Sequence, residues 1–117
     1  MKISTLKDLI SAEVLCGADK LENDIKSAFG SDMMSDVLAY VRDQAVLLTG
    51  LVNAQVIRTA EMMDMMCIVF VRSKRPTEDM VELAKESGIV LLATDKRMFE
   101  TCGILYANGL TGSGENV

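Results

Sequence analysis

Three uninterrupted apolar runs, residues 45–48 (AVLL), 67–71 (CIVFV) and 89–93 (IVLLA), recur along this chain with a helix-periodic segment after each. A strand that is apolar at every position, rather than at alternate ones, is buried on both faces. Such strands separated by single helices call for crossover connections, so the spacing predicts an α/β fold. It is read as a three-layer sandwich with a mostly parallel sheet flanked by helices.

The remaining elements follow from local pattern. Residues 2–11 place Leu6, Leu9 and Ile10 at helical spacing behind Ser4-Thr5, a candidate cap. Residues 12–16 read as a small strand ended by Gly17, residues 18–24 as a loop, and residues 25–29 as a second weak strand ending at Gly30. Ser31-Asp32 reads as the cap of a helix over 33–41, Asn53 as the start of one over 53–64, Thr77 as the cap of one that stops at Gly88, and Thr94-Asp95 as the cap of one over 97–107. One domain is expected over residues 1–110, with a flexible tail at 111–117, where glycine and polar residues replace the apolar pattern.

Composition narrows the chemistry. Twelve basic against seventeen acidic side chains leave a net charge of −5, which disfavours a general electrostatic grip on nucleic acid or on anionic lipid. The chain has no histidine and no tryptophan, so the commonest general base and zinc ligand is missing, as is the best stacking platform. Cys16, Cys67 and Cys102 lie far apart among apolar neighbours and form no C-x-x-C pair, the usage expected of reduced thiols in a cytoplasmic protein. With no histidine to activate them, structural burial is the favoured reading over nucleophilic catalysis. The chain contains no apolar run long enough to span a bilayer, and it matches neither G-x-x-x-x-G-K-[ST] nor G-x-G-x-x-G. It is expected not to be an enzyme and to need no cofactor or metal; Asp32 and Asp36 read as helix-end charges.

In parallel α/β sheets ligands gather beyond the carboxyl ends of the strands. That rule selects three loops: Thr49-Gly50 with Asn53, the basic run Arg72-Ser73-Lys74-Arg75, and Thr94-Asp95-Lys96. Their cations, hydroxyls and helix starts suit a phosphate or nucleotide. The methionines cluster at 33–34, 62–63 and 65–66, and Met62, Met63, Met65 and Met66 make the end of the 53–64 helix apolar around more than one face, which suggests a self-association surface such as a dimer contact.

The segments Gly30-Ser31-Asp32-Met33-Met34-Ser35-Asp36-Val37-Leu38, then Leu47-Leu48-Thr49-Gly50 with Asn53, then Ala84 through Gly88 and Thr94 to Phe99, resemble the DRTGG domain family in order and spacing. That family is a small α/β module related to the N-terminal domain of HPr kinase/phosphorylase. The resemblance implies a non-catalytic regulatory or ligand-sensing role: such modules accompany CBS domains in regulated pyrophosphatases, where a dimeric region responds to adenine nucleotides. It implies a homodimer, with an adenine nucleotide or other phosphate-bearing molecule as ligand. The alternative is a protein-docking accessory subunit of a metabolic or redox enzyme, with no small-molecule ligand. The chain departs from the family at its namesake residues, since Leu51-Val52 and Ser73-Lys74 stand where the glycine pair and the aspartate-arginine are expected. Arg72, Lys74 and Arg75 would then supply side-chain cations in place of backbone contacts.

Overall fold

Alternation inside the apolar runs decides which helices cover which side of the sheet. The structure, a computed structural model, describes residues 1–41 and 44–112. Strands β1 (Glu13–Cys16), β2 (Ser27–Gly30), β3 (Ala45–Thr49), β4 (Cys67–Phe70) and β5 (Val90–Ala93) form one sheet in the order β1-β5-β4-β3-β2. Every residue of β3, β4 and β5 is buried, as the unbroken apolar runs require. Phe29, Leu47, Ile68 and Leu91 lie in one register row and Gly30, Leu48, Val69 and Leu92 in the next, so successive rows point to opposite faces.

β2 through β5 are parallel, and each step along the chain moves one place across the sheet in the same direction. Right-handed crossovers advancing in one direction put all their helices on one face. Accordingly α2 (Met34–Tyr40), α3 (Ala54–Met62) and α4 (Glu78–Ser87) pack through Val37, Val56, Ile57, Ala60, Met80 and Ala84 onto the Leu47–Ile68–Leu91 side. The other face is left to the helices that are not crossovers, α1 (Ile3–Leu9) and α5 (Met98–Ala107), which contribute Ile3, Leu6 and Leu105 against Val46, Leu48, Val69 and Leu92. The three-layer reading holds, and the sheet is parallel except for β1, which runs antiparallel to β5 at the edge with a bulge between Val14 and Cys16.

One of the four expected caps holds and three do not, and Asn53, expected as the first residue of its helix, is its cap instead. The Asn53 side chain accepts from the Val56 N–H (3.2 Å) and the Thr77 hydroxyl from the Met80 N–H (3.3 Å), while Gly88 ends α4 in the left-handed conformation (φ 72°). At α1, α2 and α5 the cap positions are held by Lys2, Met33 and Arg97 in extended backbone, with no side-chain cap. Ser4 and Thr5 fall inside α1, and Asp32 and Thr94 spend their oxygens on distant partners. The methionine cluster also differs from expectation. Met65 and Met66 precede β4 and enter opposite sides of the sheet, and of Met62, Met63, Met65 and Met66 only Met62 is strongly exposed. Of the expected tail, residues 113–117 lie outside the described residues; Thr111 and Gly112 run beside β2, the Thr111 carbonyl accepting from the Ala28 N–H (2.9 Å).

Candidate functional site at the carboxyl rim of the sheet

β4 and β5 are neighbours in the sheet, yet their continuations leave it on opposite faces, β4 to α4 and β5 to α5. Adjacent parallel strands whose exits diverge leave a crevice at their carboxyl ends, the usual location of a ligand in open α/β sheets. The β4 exit is built by two consecutive residues in the left-handed region, Arg72 (φ 59°) and Ser73 (φ 60°). Each costs about 1 kcal/mol or more in that conformation. The backbone holds them there: the Arg72 N–H donates to the Lys96 carbonyl (2.8 Å), the Ser73 N–H to Thr94 (3.1 Å) and the Lys74 N–H to Val71 (3.1 Å). The β4 and β5 loops are therefore one hydrogen-bonded unit.

An open depression of about 530 Å³ lies on this unit, lined by Arg72, Ser73, Asp95 and Arg97. A smaller one of about 120 Å³ adjoins it, sharing Ser73 and Asp95 and adding Ser11, Glu13, Arg75 and Ala93. The Ser73 hydroxyl donates to Asp95 Oδ1 (2.8 Å) between them, and Arg75 is paired with Glu13. Lys74 is exposed and Lys96 half-buried, and among the described residues neither ammonium has an ion-pair partner, nor does the Arg97 guanidinium. The two depressions are lined by three cations (Arg72, Arg75, Arg97) and two carboxylates (Glu13, Asp95), so in a chain of net charge −5 their lining is positive by one. A further depression of about 410 Å³ at the amino ends of β4 and β5 sets Glu61 and Asp64 against Lys20 and lacks that positive balance.

The first expected loop belongs to a separate, closed arrangement. Thr49 is fully buried, its hydroxyl donating to Asp32 Oδ1 (3.0 Å) and accepting from the Leu51 N–H (3.1 Å). The Gly50 N–H donates to the same carboxylate oxygen (2.7 Å), and Arg72 Nη2 reaches the Gly50 carbonyl (3.4 Å) and lies 3.8 Å from Asp32 Oδ2. A Cβ on residue 50 would stand 2.1 Å from that guanidinium nitrogen, so glycine lets Arg72 lie over the backbone. Asn53 is engaged in capping α3. Thr94 is buried, its hydroxyl donating to the Ile10 carbonyl (2.7 Å) and accepting from the Lys96 N–H (3.3 Å).

The ten expected residues thus divide. Arg72, Ser73, Arg75 and Asp95 line the crevice and Lys74 and Lys96 adjoin them in the chain without lining it, whereas Thr49, Gly50 and Asn53 serve the β3 exit, and Thr94 holds the β5 exit onto the end of α1. Sequence reasoning missed two members. Arg97 reads as the first residue of a helix but stands at its cap position facing the depression, and Asp32 reads as a cap but reaches 17 residues forward to Thr49.

Burial pushes the thiols of Cys16, Cys67 and Cys102 up from their ordinary value, most strongly at Cys67. That is the opposite of what a nucleophilic thiol needs. Among the described residues no group of histidine, cysteine, aspartate and glutamate could hold a metal ion, and no helix is long and apolar enough to cross a membrane.

No curated protein matches this chain. Among solved structures, the regulatory region of the Clostridium perfringens pyrophosphatase, comprising CBS and DRTGG domains in complex with the activator diadenosine tetraphosphate, is similar in fold. The TM-score is 0.72 at 13% sequence identity, over 99% of this chain and 52% of that one. This chain therefore spans about half the length of that relative. The family model of the DRTGG domain matches residues 5–107, nearly the whole of the sheet and both helical layers, and the chain belongs to the DRTGG domain family.

Proposed function

We propose that the chain is a non-catalytic regulatory module that senses a phosphate-bearing ligand, an adenine nucleotide first among them, at the crevice between β4 and β5, and that it works as a homodimer in the cytoplasm. One observation carries this reading: the only diverging exits among the parallel strands of the described residues coincide with the positively lined depressions. Guanidinium groups at Arg72 and Arg97 suit bidentate contact with phosphate oxygens, and Lys74 and Lys96 add point charges. Asp95, held by Ser73, would accept from a sugar hydroxyl or an exocyclic amine. Catalysis is not part of the proposal, because proton transfer would rest on Asp, Glu or Lys without histidine. The pyrophosphatase regulatory region is complexed with its activator diadenosine tetraphosphate, which makes adenine nucleotides the natural first panel.

Differential scanning fluorimetry with AMP, ADP, ATP, diadenosine tetraphosphate and inorganic phosphate tests the ligand half. A ligand specific to the native state adds about 2.7 kcal/mol at a hundred times its Kd, so the expected result is a concentration-dependent rise in Tm. No rise with any of them at millimolar levels overturns it. The docking alternative, an accessory subunit of a metabolic or redox enzyme, draws on the exposed Met33, Leu38 and Tyr40 around α2. It predicts a stoichiometric enzyme partner in a native pull-down, abolished by Tyr40→Asp.

A further inference from the structure

We infer that the outer face of α5 is the contact surface for a second copy of this chain, the two helices packing antiparallel about Gly103. The inference rests on the dimeric part of the proposed function and gives that dimer a location.

A surface helix normally keeps a polar outer side. α5 (MFETCGILYA) does not: Glu100 is its only charged residue, and while Thr101 and Leu105 face the sheet, Phe99 is 90% exposed and Tyr106 67%. Phe99, Gly103 and Tyr106 stand at i, i+4 and i+7, on one side of the helix.

Gly103 points the same way. Glycine inside a helix costs about 1 kcal/mol relative to alanine. At Gly50, packing within the chain explains the glycine, and at Gly30 a Cβ would lie 3.0 Å from Cys102 Sγ. At Gly103 a Cβ would meet nothing within 4 Å, so nothing inside the described chain requires its absence. A bare backbone on an exposed apolar face admits the close approach of another helix.

The face is its own complement. Phe99 precedes Gly103 by about 6 Å along the axis and Tyr106 follows it by about 4.5 Å. Two antiparallel copies crossing at Gly103 therefore set each Phe99 beside the partner's Tyr106, the isologous pairing that a two-fold axis demands.

Charge restricts where copies can meet and favours the antiparallel direction. Copies of a chain of net charge −5 repel, and this face carries a single carboxylate. α5 has Lys96 and Arg97 at its positive end and no basic residue in its last turn, the reverse of what its dipole favours. Antiparallel packing sets the positive end of each helix dipole beside the carbonyl end of its partner's. Four aromatic rings bury on the order of 600 Å² across such a pair. Standard interfaces bury about 1,600 Å², so the dimer is expected to be concentration-dependent, with a Kd on the order of micromolar.

Sedimentation equilibrium of the full chain over about three decades of concentration around that value is the test. The wild type is expected to pass from monomer to dimer. Phe99→Asp is expected to weaken the dimer at least a hundredfold with circular dichroism and Tm unchanged, since the side chain lies outside the fold. Gly103→Ala is expected to raise Tm slightly while weakening the dimer about tenfold. Opposite signs in those two readouts are what a purely structural role for Gly103 does not produce. A wild type that stays monomeric throughout overturns both this inference and the dimeric reading. A wild-type dimer unaffected by Phe99→Asp and Gly103→Ala overturns the surface and leaves the dimer standing.

Discussion

The exits of β3 and β5 start alike and end differently. Each is a buried strand closed by a buried threonine, Thr49 or Thr94, whose hydroxyl turns inward and whose next residues make a short polar turn. At β3 the turn already holds an anion. The Asp32 carboxylate takes the Thr49 hydroxyl and the Gly50 N–H and lies beside Arg72, which are the contacts that an incoming phosphate oxygen would make. At β5 Arg97 lines the open depression, and among the described residues neither it nor the neighbouring Lys96 has a carboxylate of the chain paired to it. One exit is satisfied from within and the other offers the same class of contact to an outside molecule. The comparison teaches that cations and backbone N–H groups at a strand end indicate a binding site only after the chain's own carboxylates have been accounted for.

The largest effect is expected from emptying the open exit. Replacing both Lys96 and Arg97 with alanine removes two charge-assisted contacts at about 1.4 kcal/mol each. Nucleotide affinity should then fall about a hundredfold while ligand-free stability stays within about 0.5 kcal/mol. Isothermal titration and thermal melts of the same sample separate the two; unchanged affinity would remove the distinction between the exits. Next comes the converse experiment. Asp32→Ala strips the built-in anion from the β3 exit and leaves the buried Gly50 N–H without its partner, a cost of about 2 kcal/mol and a Tm lower by roughly 6–10 °C. Inorganic phosphate should restore part of that loss, and more of it than it adds to the wild type. A variant equally destabilised with and without phosphate would show that Asp32 is an ordinary tether.

The threonines give a smaller difference. Thr94→Val leaves the Ile10 carbonyl without its buried donor and should cost about 1–2 kcal/mol in chemical denaturation. Thr49→Val should cost about 1 kcal/mol, because the Asp32 carboxylate keeps the Gly50 N–H and is half-exposed to water. Reversal of that order would mean that the β3 exit, not the β5 exit, depends more on its threonine.

These pairings also mark what local pattern could and could not convey. Strands β3 to β5 were legible because burial on both faces leaves no polar position to confuse the period, and the starts of α3 and α4 because Asn53 and Thr77 bond three residues ahead, although Asn53 read as the first helical residue and is the cap. Ser31-Asp32 and Thr94-Asp95 carry the same residue types and the same expectation. Yet Asp32 bonds across 18 residues and Thr94 across 84, and such distant competition for an oxygen leaves no trace in the neighbouring letters. The direction of β1 was equally hidden, since a four-residue strand before Gly17 fits either orientation until β5 is in place. Arg72-Ser73-Lys74-Arg75 was legible as a basic loop, but its left-handed backbone was not, because no glycine announces it.

That backbone supplies the smallest and most discriminating prediction. If the open exit owes its shape to the bonds from Arg72 and Ser73 to the Lys96 and Thr94 carbonyls, the positive φ at Ser73 is a cost the wild type carries. Ser73→Gly removes about 1 kcal/mol of that strain. It also gives up an exposed hydrogen bond to Asp95 and loosens the unfolded chain, so net stability should change by less than about 0.5 kcal/mol. Ser73→Ala loses the same hydrogen bond and keeps the strain, and should be less stable than wild type by about 1 kcal/mol. Glycine above alanine at this position is therefore the expected order in thermal melts, although alanine exceeds glycine at most solvent-exposed sites. An alanine variant as stable as the glycine one would mean that the β4 loop is free to leave the left-handed region, and the crevice beside it would not be a preformed site.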